Sequence, residues 1–144
     1  MDTVQPAETG EMTKTEYEQL AGFRYALRLF FAFSEGHVRS VGMTPRQYQA
    51  LLAIKGYPGR EQATIGELAE QLQLKHNSTV ELIDRLVEER LAERHRDGSN
   101  RKQVYVRLTD RGEEILMQLA ATHRQQLQRL SPQLLAALRS LTSA

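Results

Sequence analysis

The chain has 144 residues, 40% of them hydrophobic, a formal net charge of +1 and no cysteine. That length fits one domain, or one compact domain with an extension, and disulfides, thiolate nucleophiles, cysteine-ligated zinc and thiol-based sensing are excluded. No apolar run approaches the roughly 20 residues that span a bilayer, and the opening MDTVQPAETGEMTKTE is polar and acidic, so a cytoplasmic protein with no membrane partner is expected.

In chain order, residues 1–14 carry Pro6, Gly10 and little apolar content and read as a disordered tail. A long helix is predicted from Thr15 to Val41. One stripe holds Leu20, Phe23, Leu27, Phe30, Phe31, Val38 and Val41; a second set, Tyr25, Leu29, Ala32 and Phe33, lies on another side. A surface helix needs one apolar face. Two imply a second body, most simply another copy of the chain, or burial on several sides within one subunit. Thr44-Pro45-Arg46-Gln47 starts the next helix, with threonine as cap, proline at the first helical position and glutamine closing a capping box. Tyr48, Leu51, Leu52 and Ile54 form its buried face, and Gly56, Pro58 and Gly59 end it.

Thr64, with Glu67 three residues on, opens a helix whose apolar face is Ile65, Leu68, Ala69 and Leu72. Gln73-Leu74 fills a tight connection to a helix from Lys75 to Arg90. There Thr79, Leu82, Ile83, Leu86 and Val87 point inward, and Asn77, Glu81, Asp84 and Glu88 point outward. Strands follow at Leu91–Arg96 and Gln103–Leu108, joined by the turn-forming Asp97-Gly98-Ser99-Asn100. Thr109 caps a helix with Ile115, Leu116, Leu119 and Ala120. Ser131-Pro132 starts a final helix with Leu134, Leu135, Leu138 and Leu141.

The near-neutral total hides a local concentration. Arg90, Arg94, Arg96, Arg101, Lys102, Arg107 and Arg111 face only Glu93, Asp97 and Asp110 over the same stretch. Phosphate attraction follows local charge density. A short helix pair followed by an arginine-bearing β-hairpin can fill a major groove and touch the adjacent minor groove at once. Double-stranded DNA is therefore the leading partner. The competing reading of the same run is a solvated charged loop.

The order of elements, the LAEQL…STVELIDRLVEERLAER segment and the NRKQVYVRLTDRG wing resemble the MarR family of bacterial transcriptional regulators. The similarity spans Phe23 to Leu119 and is strongest from Ile65 to Gly112. It implies a mainly α fold with a small β-hairpin: a winged helix-turn-helix lobe (44–112) beneath an N- and C-terminal helical dimerisation layer (15–43 and 113–144), within a single domain at 15–144. It also implies a homodimer on a near-palindromic operator. The recognition-helix role falls on His76, Asn77, Ser78, Val80 and Glu81, and the minor-groove role on Arg101 with Lys102 in support. Arg85, Arg94, Arg107 and Lys102 would contact phosphates. Asn77 can bond an adenine edge twice, and Val80 can touch a thymine methyl.

This sequence departs from the family pattern at Gln73, where glycine is common and glutamine fits if φ stays negative. It departs again at Asn100, where aspartate often precedes the wing arginine, and at Glu81, which accepts from cytosine N4 but repels phosphate. The local alternatives make Asn77 and Ser78 helix caps and put Asp84 and Arg85 in structural ion pairs.

The resemblance further implies a small phenolic or anionic effector between the two layers, with Phe33, His37, Arg46 and Tyr48 as lining residues. The alternative is core packing for Phe33 and Tyr48 and exposure for His37 and Arg46. Enzymatic chemistry, metals and cofactors are not expected. His37, His76, His95 and His123 are scattered without metal-ligand spacing, and there is no Gly-rich phosphate loop or nucleophile elbow. The runner-up function is a winged-helix protein-interaction module without specific DNA binding.

Overall fold

Three helices begin on one device, a threonine whose hydroxyl accepts from the third helical amide while that third residue's side chain reaches back to the threonine N–H. The pairs are Thr13 and Glu16, Thr44 and Gln47, and Thr64 and Glu67. They open α1 (Lys14–Ser40), α2 (Pro45–Lys55) and α3 (Ile65–Leu72). The computed structural model describes residues 3–6, 10–98 and 100–142, with the side chains of Asp97, Asn100 and Arg101 outside the described part. Of the 1–14 tail, residues 3–6 and 10–13 hold no helix or strand; the others, bar Lys14, lie outside the described residues.

After α3 come α4 (His76–Glu88), β2 (Ala92–Asp97), β3 (Asn100–Leu108) and α5 (Asp110–Thr142). A strand absent from the sequence reading, β1 (Gln62–Thr64), precedes α3 and pairs with β3, giving an antiparallel sheet of order β1-β3-β2. Three residues are too few to show alternation, so periodicity could not reveal β1. The core gathers Leu51 and Ile54 of α2, Leu68 of α3, Ile83 and Leu86 of α4, Val106 of β3 and Leu119 of α5. Each such side chain contributes about 1.5–3 kcal/mol by leaving water. Leu52, expected inside, is 45% exposed.

The two C-terminal helices read from the sequence are one continuous helix of 33 residues, with Pro132 inside it. Proline deprives the Gln128 carbonyl of its usual i+4 donor. The Ser131 hydroxyl donates to that carbonyl at 3.0 Å instead, which explains how the helix passes the proline.

The α3–α4 turn also differs from expectation. Gln73 adopts φ 54° and ψ 45°, so the left-handed conformation that suits glycine is present. The Gln73 side-chain amide donates to the Glu70 carbonyl at 2.8 Å, a local bond that offsets part of the roughly 1–2 kcal/mol steric cost.

Gly112 has a different reason. A Cβ there would lie 2.0 Å from the Leu91 carbonyl oxygen. Thr109 holds this approach: its N–H donates to the Leu91 carbonyl at 3.1 Å, its hydroxyl donates to the Arg90 carbonyl at 2.6 Å, and that hydroxyl accepts from Gly112 N–H at 3.1 Å.

Two substitutions test these backbone constraints by thermal or denaturant unfolding. Gly112→Ala is expected to destabilise by about 2 kcal/mol or more, because backbone must move. Gln73→Gly is expected to stabilise by roughly 0.5–1 kcal/mol despite losing its side-chain bond.

Candidate nucleic-acid interface

The apolar half of α4 is buried through Thr79, Ile83 and Leu86, which turns Asn77, Glu81, Asp84, Arg85 and Glu88 outward. His76 is exposed as well, and Ser78 and Val80 are half-buried. The N-cap is Lys75, and no side chain caps the helix. Asn77 and Ser78 are thus not caps, and the first-turn N–H groups keep their positive dipole end open.

The β2–β3 hairpin stands beside this helix, with a register irregularity between Arg96 and Asp97 near its tip. Lys102 is exposed on β3. Arg101 lies in β3 by its backbone; its side chain, and the Asn100 side chain next to it, lie outside the described part.

The remaining arginines divide. Arg94 of β2 pairs with Asp84 of α4, and Arg107 pairs with its cross-strand partner Glu93 at 2.7 Å. Both guanidiniums are therefore committed within the chain and tie the hairpin together and to α4. Arg85 has no carboxylate partner among the described residues. It lines an open cleft of about 590 Å³ with Arg39, Arg46, Ser78 and Glu81. Arg46 thus belongs beside α4, away from the other three residues read as lining an effector pocket.

Those three cluster around one of the histidines that lack metal-ligand spacing. His123 of α5 is 4% exposed, and neither ring nitrogen has a hydrogen-bond partner among the described residues. Its ring meets Tyr48 edge-on at 4.6 Å, His37 at 5.6 Å and Phe33 at 6.4 Å. His123 and Tyr48 form part of the wall of a largely apolar cavity of about 470 Å³ between α1, α2 and α5, with Phe30, Val38, Leu52 and Leu127. His123 follows Leu116 and Leu119 at helical spacing, a signal that marks the face, but only the packing of α1 and α2 against that face buries it.

Burial holds the His123 imidazole below its ordinary pKa, and the neighbouring His37 pushes the same way. The Ser34 carbonyl opposes them, from a position outside hydrogen-bond geometry. The Tyr48 phenol is pushed up by burial.

Helix pair, uncapped outward-facing helix and hairpin together define a winged helix-turn-helix protein. The MarR family model matches residues 41–103. An HTH-type transcriptional regulator of Bacillus subtilis, YsmB, is 30% identical over 120 residues, covering 81% of this chain and 80% of its own. The chain belongs to the MarR family of transcriptional regulators, a family of regulators and not of enzymes. Among solved structures, a MarR family protein from Bacillus stearothermophilus superposes with a TM-score of 0.70 at 24% identity, covering 83% of this chain and 82% of its own. A mutant MarR from E. coli, complexed with operator DNA, gives 0.65 at 24% identity, covering 82% and 86%. No helix among the described residues is long and apolar enough to cross a membrane.

The lowered His123 pKa fixes a sign. Above the unfolded value of 6.5 both states carry a neutral ring, and stability does not respond to its titration. Below it the unfolded chain takes up a proton that the folded chain resists, so stability falls with pH until the folded pKa is reached. Unfolding curves of His123→Leu between pH 7 and pH 5 are expected to lose this slope.

Proposed function

We propose that the chain is a homodimeric, sequence-specific duplex-DNA-binding transcriptional regulator, and a repressor released by a small phenolic or anionic molecule. One observation carries the reading: α4 presents a polar, uncapped N-terminus, and a basic hairpin is braced to the same helix through Asp84 and Arg94. A helix end of that kind suits the major groove, and a braced hairpin suits the flanking minor groove. His76, Asn77, Ser78, Val80 and Glu81 meet bases and backbone there. Arg101, with Lys102, enters the minor groove and favours A·T-rich, narrow steps. Arg85 and Arg46, sharing one cleft, are the phosphate contacts of the helix side. Arg94 and Arg107 chiefly set the hairpin for those contacts, and their spare N–H groups remain available to phosphate.

The dimer is supported by surface left over on the long helices. Tyr17, Tyr25 and Phe31 of α1 and Leu135 of α5 are 58%, 56%, 52% and 49% exposed. Leu20, Leu29, Phe33, Leu127 and Leu138 extend that surface. So much exposed apolar area calls for a covering partner, and a second copy places the segments 15–43 and 113–144 in one layer above two 44–112 lobes. The cavity walled by Tyr48 and His123 joins that layer to the lobe. A ligand there releases DNA only if it binds one lobe spacing better than the other.

Selection from random duplexes is expected to return a near-palindrome with half-site centres roughly 10 base pairs apart. Affinity should fall steeply with salt, and Arg101→Ala should weaken binding about tenfold while relaxing the A·T preference at the flanks. Sedimentation should give twice the chain mass. Absence of any selected duplex leaves the protein-interaction reading in its place.

A further inference from the structure

Arg60 lies in the loop between α2 and β1, where three segments converge. Its guanidinium carbon is 4.5 Å from the ring centre of Tyr57, in the same loop, and 5.4 Å from that of Tyr105, in β3. The same guanidinium pairs with Glu67 in the first turn of α3. Glu67 uses its other carboxylate oxygen to accept the Thr64 N–H at 2.9 Å, closing the α3 capping box. Thr64 is itself the register partner of Tyr105. One cation therefore touches the strand that carries the wing and the carboxylate that starts the helix-turn-helix.

The chemistry suits a geometric role. A planar guanidinium stacks on an aromatic face and offers a directed N–H fork to a carboxylate, so it fixes orientation as a lysine ammonium cannot. Burial raises the Glu67 pKa, but hydrogen bonds from Thr64 and Tyr57 and the charge of Arg60 outweigh it and hold the carboxyl below its ordinary value. The pair is a quarter to a third exposed, so its contribution to global stability is small. What it restrains is the direction in which β3 leaves the α3 end of the sheet. The opposite strand of the hairpin is restrained separately, through Arg94 and Asp84.

We propose that Arg60 is a positioning residue for the wing: packed on Tyr57 and Tyr105 and paired with Glu67, it fixes the angle between the β2–β3 hairpin and the α3–α4 pair. That angle sets the spacing at which recognition helix and wing engage adjacent grooves together. The inference rests on the DNA reading above.

The test uses the full chain and two forms of the selected duplex, one with A·T base pairs and one with G·C base pairs where the wing falls. Arg60→Gln is expected to lower affinity for the A·T-flanked duplex about tenfold while changing the G·C-flanked duplex by less than about twofold. Arg60→Lys, which keeps the charge but not the fork, is expected to fall between. Without DNA, amide exchange in β2 and β3 should quicken in Arg60→Gln while α4 keeps its protection. An equal fall on both duplexes marks a merely structural residue and overturns the proposal. So does an unchanged flank preference, or unchanged exchange in the hairpin. If the unsubstituted protein selects no duplex at all, the DNA reading fails and takes this one with it; if it selects one and Arg60→Gln keeps the preference, only the Arg60 assignment falls.

Discussion

The approach of α5 to the Leu91 carbonyl is the constraint on which the arrangement turns. At that point the end of α4, the start of β2 and the first turn of α5 meet within one hydrogen-bonded knot. Thr109 supplies the bonds to Arg90 and Leu91, and Gly112 supplies the space. The knot decides where the longest helix leaves the winged-helix lobe. Everything carried by α5, including His123 and the leucines beyond it, takes its position from there. A side chain at position 112 would push the helix off the lobe, because its obstacle is backbone and cannot rotate away.

Packing is uneven along the two long helices, and that unevenness separates their jobs. Near the lobe, Val38 of α1 and Leu116, Leu119 and His123 of α5 are buried. Beyond His123 no described residue of α5 is fully buried, and in the preceding part of α1 only Ala26 is. The helices pair with each other but leave aromatic and leucine side chains on the outside. Hydrophobic burial within one chain is thus concentrated where α1 and α5 meet the rest of the fold, and thins along the remainder of both helices. The His123 cavity sits at the border between these regimes, walled by α1, α2 and α5.

Electrostatics shape the interface mainly by restraint. An exposed ion pair contributes little to stability, yet Asp84–Arg94 joins the hairpin to α4, Glu93–Arg107 joins the hairpin to itself, and Arg60, paired with Glu67 of α3, lies over the Tyr105 ring of β3. Asp84 on the outward face of α4, otherwise a poor match for phosphate, gains a reason in this way. Asp84 is used to hold a wing arginine. The N-terminal end of α4, bearing Lys75, His76 and Asn77, is the part left polar and cationic.

The sequence by itself determined the starts of α2 and α3, the inward face of α4, the hairpin and the family, because each is written in local spacing: capping boxes three residues apart, apolar residues at helical intervals, alternation across Val104, Val106 and Leu108. Only the three-dimensional structure decided what the local pattern leaves open. The short β1 exists because β3 offers it a ladder. Pro132 stays inside a helix because Ser131 supplies the missing donor. Arg46 lies beside α4, and not with Tyr48, because residues two apart on a helix point to nearly opposite sides. His123 is buried because α1 and α2 both pack against its face. Gln73 is held at positive φ because the α3–α4 crossing demands that bend whatever residue occupies it. Local pattern fixes what a segment can be; contacts across the fold fix which neighbours each side chain meets, and with them its charge state and its use.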